Sequence, residues 1–177
     1  LGDPRATKFW STPPHANPAE TREWLDAMLA VSGNLDDTFG GPSRNLADAK
    51  NRRRTLYGFV SRHKLDELLR LFDFPDPGTL NGNRVDTTIA PQALYLMNSP
   101  LVLRTCATMA KQLLAEKNLT IAQRVEWLYA KVYNRKPTVK ESKRAIIFVN
   151  ELCQERQTSW QALCQALVSS NEFLYLK

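Results

Sequence analysis

Apolar residues recur at helical spacing through most of the second half of the chain. Behind Ser99-Pro100, the residues Val102, Cys106, Met109, Ala110 and Leu113 stand in one register, which predicts an amphipathic helix. A second helix is expected to open at Thr120, with Ile121, Val125, Leu128, Tyr129, Val132 and Tyr133 on its apolar face. A third follows Thr138 and Glu141, whose spacing is that of a capping box, and carries Ile146, Val149 and Cys153. The fourth is read from Ser159, ahead of Trp160, Leu163, Cys164, Leu167 and Val168. Residues 83–177 contain no glycine, and Pro91, Pro100 and Pro137 all fall where a helix should begin.

The first half is looser. Asn17 reads as an N-cap, Pro18 as the first helical residue and Glu20 as the partner of a capping box. Trp24, Leu25, Met28 and Val31 then mark an apolar face that Gly33 closes. A polar loop, DDTFGGPS, follows. TLYGFVS at 55–61 alternates weakly and is rich in aromatic and β-branched residues, the pattern of a short strand. HKLDELLRLF reads as a helix with Leu65, Leu68, Leu69 and Phe72 on one face. Next comes the connector FDFPDPGTLNGNRVDTTIAPQALYLMNSP. Asp76-Pro77-Gly78 and Asn81-Gly82 turn it, and a short helix is expected at Pro91. The fold class is therefore all-α, a bundle of about five to seven helices. It forms a single domain over 1–177, with an irregular lead-in (1–17), a looser half (18–82) and a compact helical half (83–177).

The net charge of +6 is unevenly spread: residues 1–43 carry −3, whereas residues 44–70 carry +5. A basic chain of this kind suits an anionic partner without specifying one. No apolar run is long enough to span a bilayer, and the opening LGDPRATKFW lacks the layout of a signal peptide. A start on Leu1 rather than Met reads as a segment of a longer polypeptide. Cys106, Cys153 and Cys164 include no CxxC, so no haem-attachment motif lies in this chain. All three occupy apolar helical positions and are expected to be buried free thiols. In an exported protein, a Cys153–Cys164 or Cys106–Cys164 bridge is the alternative.

Candidate chemistry is sparse. Asp73 and Asp76 are three residues apart, but Pro75 and Pro77 keep them off a common helical face, and Asp76 suits the first position of a turn. With Asp86 and Arg84 they are the residues an enzymatic reading of the connector would use. The spacing of Asp73, Asp76, Asn81 and Asn83 is a poor match to a calcium loop. His15 and His63 are the only histidines, and no HExxH, nucleophile elbow or phosphate-cradling glycine motif occurs. The run KNRRR supplies Lys50, Arg52, Arg53 and Arg54, followed by Tyr57, Phe59, Arg62 and Lys64. Such interleaving could hold an anionic strand by phosphate contact and stacking. The alternatives are a solvated face, or arginines that pair with the acidic first segment and with helix C-termini. No recognised nucleic-acid motif accompanies them, so nucleic acid is the less favoured partner. Trp24, Trp127 and Trp160 fall on apolar helical faces and are expected in the core, while Trp10 lies in the lead-in.

The order AMLAVSGNLDDTFGGPS, NRRRTLYGFVSRHKLDELLRLFDFPDP, VDTTIAPQALYLMNSPLV, YAKVYNRKPTVKE and WQALCQALVSSNEFLYLK has a familiar counterpart. From about Ala19 to the end, these blocks resemble the C-terminal part of a planctomycete-type domain of unknown function. That domain follows another uncharacterised domain in large proteins that bear a cytochrome c-like haem module. The resemblance implies a helical domain of an exported, periplasmic or cell-envelope protein, with any haem c held by an upstream domain. It supplies no established activity, cofactor or catalytic residue. The family's earlier half, with its NR-W-FG type segment, is absent from this sequence.

Taken with the residues, the leading expectation is a noncatalytic scaffolding or interaction module whose partners are upstream domains of the same polypeptide. Sugar-binding modules in similar proteins make a polysaccharide partner the next expectation, with the 73–86 loop contributing to a carbohydrate-processing enzyme. A binder of nucleic acid or another anionic polymer, centred on Arg52, Arg53 and Arg54, is the third.

Overall fold

The computed structural model of the chain describes residues 21–46, 48, 50–61, 63, 67–72, 90–151 and 156–174. Among them the architecture is an all-α bundle. The elements are α1 (Thr21–Val31), a 3-10 turn (Thr55–Tyr57), α2 (Glu67–Leu71), α3 (Ala90–Asn98), α4 (Pro100–Ala115), α5 (Ile121–Tyr133), α6 (Val139–Glu151), α7 (Arg156–Val168) and α8 (Asn171–Leu174). The capping box at Asn17–Glu20, Trp10, His15, Leu65, Cys153 and residues 73–89 of the connector, with Asp73, Asp76, Arg84 and Asp86, lie outside the described residues.

Helix α4 is the centre. It packs most extensively on α7 and also touches α1 and α3. The reason is in its sequence: Leu101, Val102, Thr105, Cys106, Met109, Ala110 and Leu113 are buried, a face too wide for one neighbour to cover. Truncating a core side chain such as Met109 to alanine would cost about 2–5 kcal/mol. Trp160, Leu163, Cys164, Leu167 and Val168 of α7 fill the same core. Trp24 of α1 stacks on Phe72 at 5.2 Å between ring centroids and meets Tyr95 of α3 edge-on at 6.5 Å. This trio joins α1, α3 and the turn that leaves α2, each ring pair adding about 0.5–1.5 kcal/mol beyond area burial.

Cys106 and Cys164 are fully buried free thiols, as their apolar positions implied. Burial pushes the Cys106 thiol up to about 12 and raises Cys164 as well, so neither becomes a thiolate at neutral pH.

Two expectations change. The candidate strand at 55–61 is instead a 3-10 turn, because Thr55 N–H is taken by Asp26 and Gly58 N–H returns to Thr55 O at 2.8 Å. Around it the chain makes only isolated parallel bridges, Asp36 with Arg53 and Arg44 with Gly58, among the described residues. In the last long helix, α7 (Arg156–Val168), Ser159 lies inside the helix, fully buried in its packed face, and not at its start.

Helix ends follow the local chemistry. Gly33, at φ +70°, closes α1 in a Schellman motif with Asn34 N–H on Leu29 O and Gly33 N–H on Ala30 O, both 2.9 Å. Thr120 and Gln123 form a reciprocal capping box at α5. Gln165 of α7 donates to Leu96 O and Met97 O in the last turn of α3, at 3.1 and 2.8 Å. Gln112 of α4 donates to Ser32 O and accepts from Lys131 Nζ, both at 2.9 Å, so one amide links α1, α4 and α5.

The α5–α6 turn is held by Arg135. Asn134 takes the left-handed conformation at φ +54°, and the guanidinium that follows spends all five N–H donors. They reach Glu141 at 2.9 and 2.8 Å, Glu172 of α8 at 2.6 and 2.7 Å, and Lys136 O at 3.1 Å. Glu141 also caps α6, accepting Thr138 N–H at 2.7 Å and Thr138 Oγ1–H at 2.8 Å. These bonds, led by Arg135, lower the Glu141 carboxyl from 4.5 to about 2. A carboxyl depressed on folding stabilises the native state above its unfolded pKa, and that contribution disappears as pH falls through the folded value. The α5–α6–α8 corner should therefore loosen between about pH 4.5 and 2. Thermal unfolding across that range should show a steeper acid loss in the parent chain than in Glu141→Gln. Parallel curves would refute the assignment.

Candidate functional site

The basic run that looked like one strip is divided among three tasks. Arg54 Nε faces Asp26 Oδ2 at 3.6 Å, pairing with the acidic first segment as the alternative reading expected. Asp26 is 8% exposed, and its Oδ1 accepts both the N–H and the hydroxyl of Thr55 at 2.6 Å. Arg53 turns the other way. Its Nη2 donates to Thr38 O at 2.6 Å and to Gly40 O, while its guanidinium lies 4.2 Å from the Tyr57 ring centroid. Tyr57 Oη in turn accepts Gly40 N–H at 2.9 Å. Arg52 stays exposed, and its backbone carbonyl accepts Asp36 N–H at 2.8 Å.

These contacts bind the loop after α1 to the loop around the 3-10 turn. Arg44 closes the pair, with its N–H on Tyr57 O and its carbonyl accepting Phe59 N–H, both at 2.8 Å. Asp36 accepts the Thr38 hydroxyl and the Thr38 N–H, which lower its pKa in that order of importance. Three large apolar residues project from this laced pair of loops. Phe39 is 96% exposed, Leu56 61% and Phe59 60%. These side chains stand on a backbone tied by the hydrogen bonds above.

Beside the loops lies a cleft of about 370 Å³. Leu29, Leu101 and Thr105 contribute its apolar and buried part; Lys50, Arg52 and Arg104 are its charges; Asn34, Asn51 and Thr108 complete the lining. Among the described residues no carboxylate lines it. Arg104 and Thr108 had no signal as site residues by themselves. A usable signal existed in their spacing, since 101, 104, 105 and 108 share one helical face of α4. Phe39 was equally silent, being a lone aromatic in a glycine-flanked loop.

Among the described residues, no group of three or more His, Cys, Asp or Glu side chains is placed to hold a metal ion. No described helix is long and apolar enough to cross a membrane. His63 is exposed, Trp24 and Trp160 are core, and Trp127 is half-buried under Lys131 Nζ at 4.4 Å. Burial lowers the Lys131 pKa. Asp73, Asp76, Arg84 and Asp86, outside the described residues, cannot be joined to either surface.

Residues 2–149 fit the model of the PSD1 family, described as a protein of unknown function (DUF1553). No curated protein and no solved structure matches the chain.

Gly58 tests how tightly the loops are set. A Cβ there would lie 2.6–2.7 Å from the side chain of Leu46, itself 4% exposed. Gly58→Ala should displace Leu46 and destabilise the chain by about 1–3 kcal/mol. Gly40→Ala is a useful contrast: its Cβ meets nothing within 4 Å, so its cost is that of φ +77° alone. Denaturant titration of both variants should separate the steric from the conformational penalty. An unchanged midpoint for Gly58→Ala would show that Leu46 is not fixed.

Proposed function

We propose a role for a chain that belongs to the PSD1 family of proteins of unknown function (DUF1553): a noncatalytic helical scaffolding and interaction module. The observation that carries this reading is the apolar surface of Phe39, Leu56 and Phe59 on loops laced by Arg53, Tyr57 and Arg44. A rigid backbone presenting exposed aromatic and leucine side chains loses little conformational freedom on binding, which favours association. Buried Asp26 and Thr55, with the half-exposed Arg54, are engaged with one another in holding that backbone.

The partner in this proposal is the adjoining part of the same polypeptide. The resemblance of its sequence blocks supports an exported, cell-envelope protein with a cytochrome c-like domain elsewhere in it. This chain has no CxxCH, and its described cysteines are buried in the core, so the haem would belong to that other domain.

Titrating the chain against the separately produced remainder of its polypeptide tests the reading. A triple variant, Phe39→Ser with Leu56→Ser and Phe59→Ser, should weaken association by roughly tenfold or more, as expected for loss of aromatic anchors. Its thermal stability should change little, because all three side chains are exposed. Association that survives the triple substitution, or none in the parent chain, would overturn the proposal.

A further inference from the structure

The structure assigns the cleft between the loops and α4 a ligand of its own: a small polyol bearing a tetrahedral oxyanion ester, that is, a sugar phosphate or sugar sulfate. Its position and chemistry are independent of the apolar surface. Lys50 and Arg52 bring positive charge from the loop, and Arg104 brings it from α4. Among the described residues none of the three pairs with a carboxylate. Arg104 Nε makes one long contact to Pro100 O at 3.4 Å, which leaves its Nη groups as donors. Asp48 Oδ1 accepts the Lys50 backbone N–H at 2.9 Å but does not line the cleft. Guanidinium and ammonium groups lining one cleft with no ion pair of their own favour an oxyanion, and bidentate arginine contacts suit a phosphate or sulfate.

The neutral residues narrow the class further. Thr105 Oγ1–H donates to Leu101 O at 2.8 Å, and Thr108 Oγ1–H donates to Arg104 O at 3.0 Å. With their protons spent on the helix, these hydroxyl oxygens can only accept from a ligand. A fully ionised oxyanion has no proton to give them, whereas the hydroxyls of a polyol do. Asn51 Oδ1 accepts Arg53 N–H at 3.1 Å, which leaves its amide N–H groups as donors. A site offering acceptors beside cations fits a molecule with hydroxyls at one end and an anionic ester at the other. The volume of about 370 Å³ is in the range of small-molecule sites and suits one sugar ring.

Calorimetric titration at low salt with glucose 6-phosphate, glucose 6-sulfate, inorganic phosphate and glucose tests this directly. One or both esters should bind at least roughly tenfold more tightly than inorganic phosphate or glucose, the step expected when hydroxyl and anionic contacts combine. The stronger of the two esters identifies the source of the oxyanion. Arg52→Gln and Arg104→Gln, both at exposed side chains, should each weaken the ester by roughly tenfold. Lys143→Gln, an exposed charge on α6 outside the cleft, should leave it unchanged. Thr108→Val should weaken the ester and not inorganic phosphate. The inference is overturned if neither ester binds, if inorganic phosphate binds as well as the esters, or if Lys143→Gln weakens binding as much as the arginine variants.

Discussion

Asp26 lies within the second turn of α1, on a helix whose neighbours Trp24, Leu25 and Met28 fill the core. Its carboxylate is almost removed from water, a placement that is unfavourable unless donors replace the lost hydration. Thr55 supplies two, from backbone and hydroxyl, and Arg54 supplies the counter-charge. Leaving such a group without partners would cost about 3–5 kcal/mol, comparable to much of the stability of a small domain. The loop that carries Arg52, Arg53 and Tyr57 therefore stands where it does because α1 contains a buried acid. Both surfaces described above, the apolar one and the cationic cleft, depend on that placement.

From this anchor the dependence runs outward through backbone carbonyls. Arg53 spans to Thr38 and Gly40, and Arg44 closes the second rung. On the other side, Gln112 carries the end of α1 to α4 and, through Lys131, to α5. The Gln165 amide does the same between α7 and α3. The Arg135 cluster fixes the far corner independently, with two carboxylates and two tyrosine rings around one guanidinium. Tyr133 completes it: its hydroxyl donates to Leu167 O at 3.0 Å, and burial raises its pKa to about 12. The helices supply the apolar core, and these few polar ties set how its ends and loops are arranged.

Most of the helical half was readable because periodicity and capping are local properties. Thr138–Glu141, Thr120 and Pro100 each mark a helix start in a handful of adjacent residues, and the start matches. Ser159 misled because it stands just ahead of the apolar template, whereas it is itself buried inside the helix. TLYGFVS misled because its composition suits a strand, while the carboxylate that takes its first N–H comes from a residue 29 positions away. The same distance problem hid the cleft. Arg52 was visible as one member of a basic run, but its separation from Arg53 and Arg54, and its company with Arg104, are products of tertiary packing. Charge runs announce themselves in sequence; the direction in which each side chain is spent does not.

Native-state hydrogen exchange on Asp26→Asn measures the dependence most directly. The substitution keeps the shape of the side chain and removes its charge. The account predicts that amides of Asp36, Arg44, Thr55, Tyr57 and Phe59 lose protection together, while those of α4 and α7 keep theirs. Unchanged protection in the loops, or equal loss throughout the helices, would contradict the claim that this one carboxylate places the loops on the bundle.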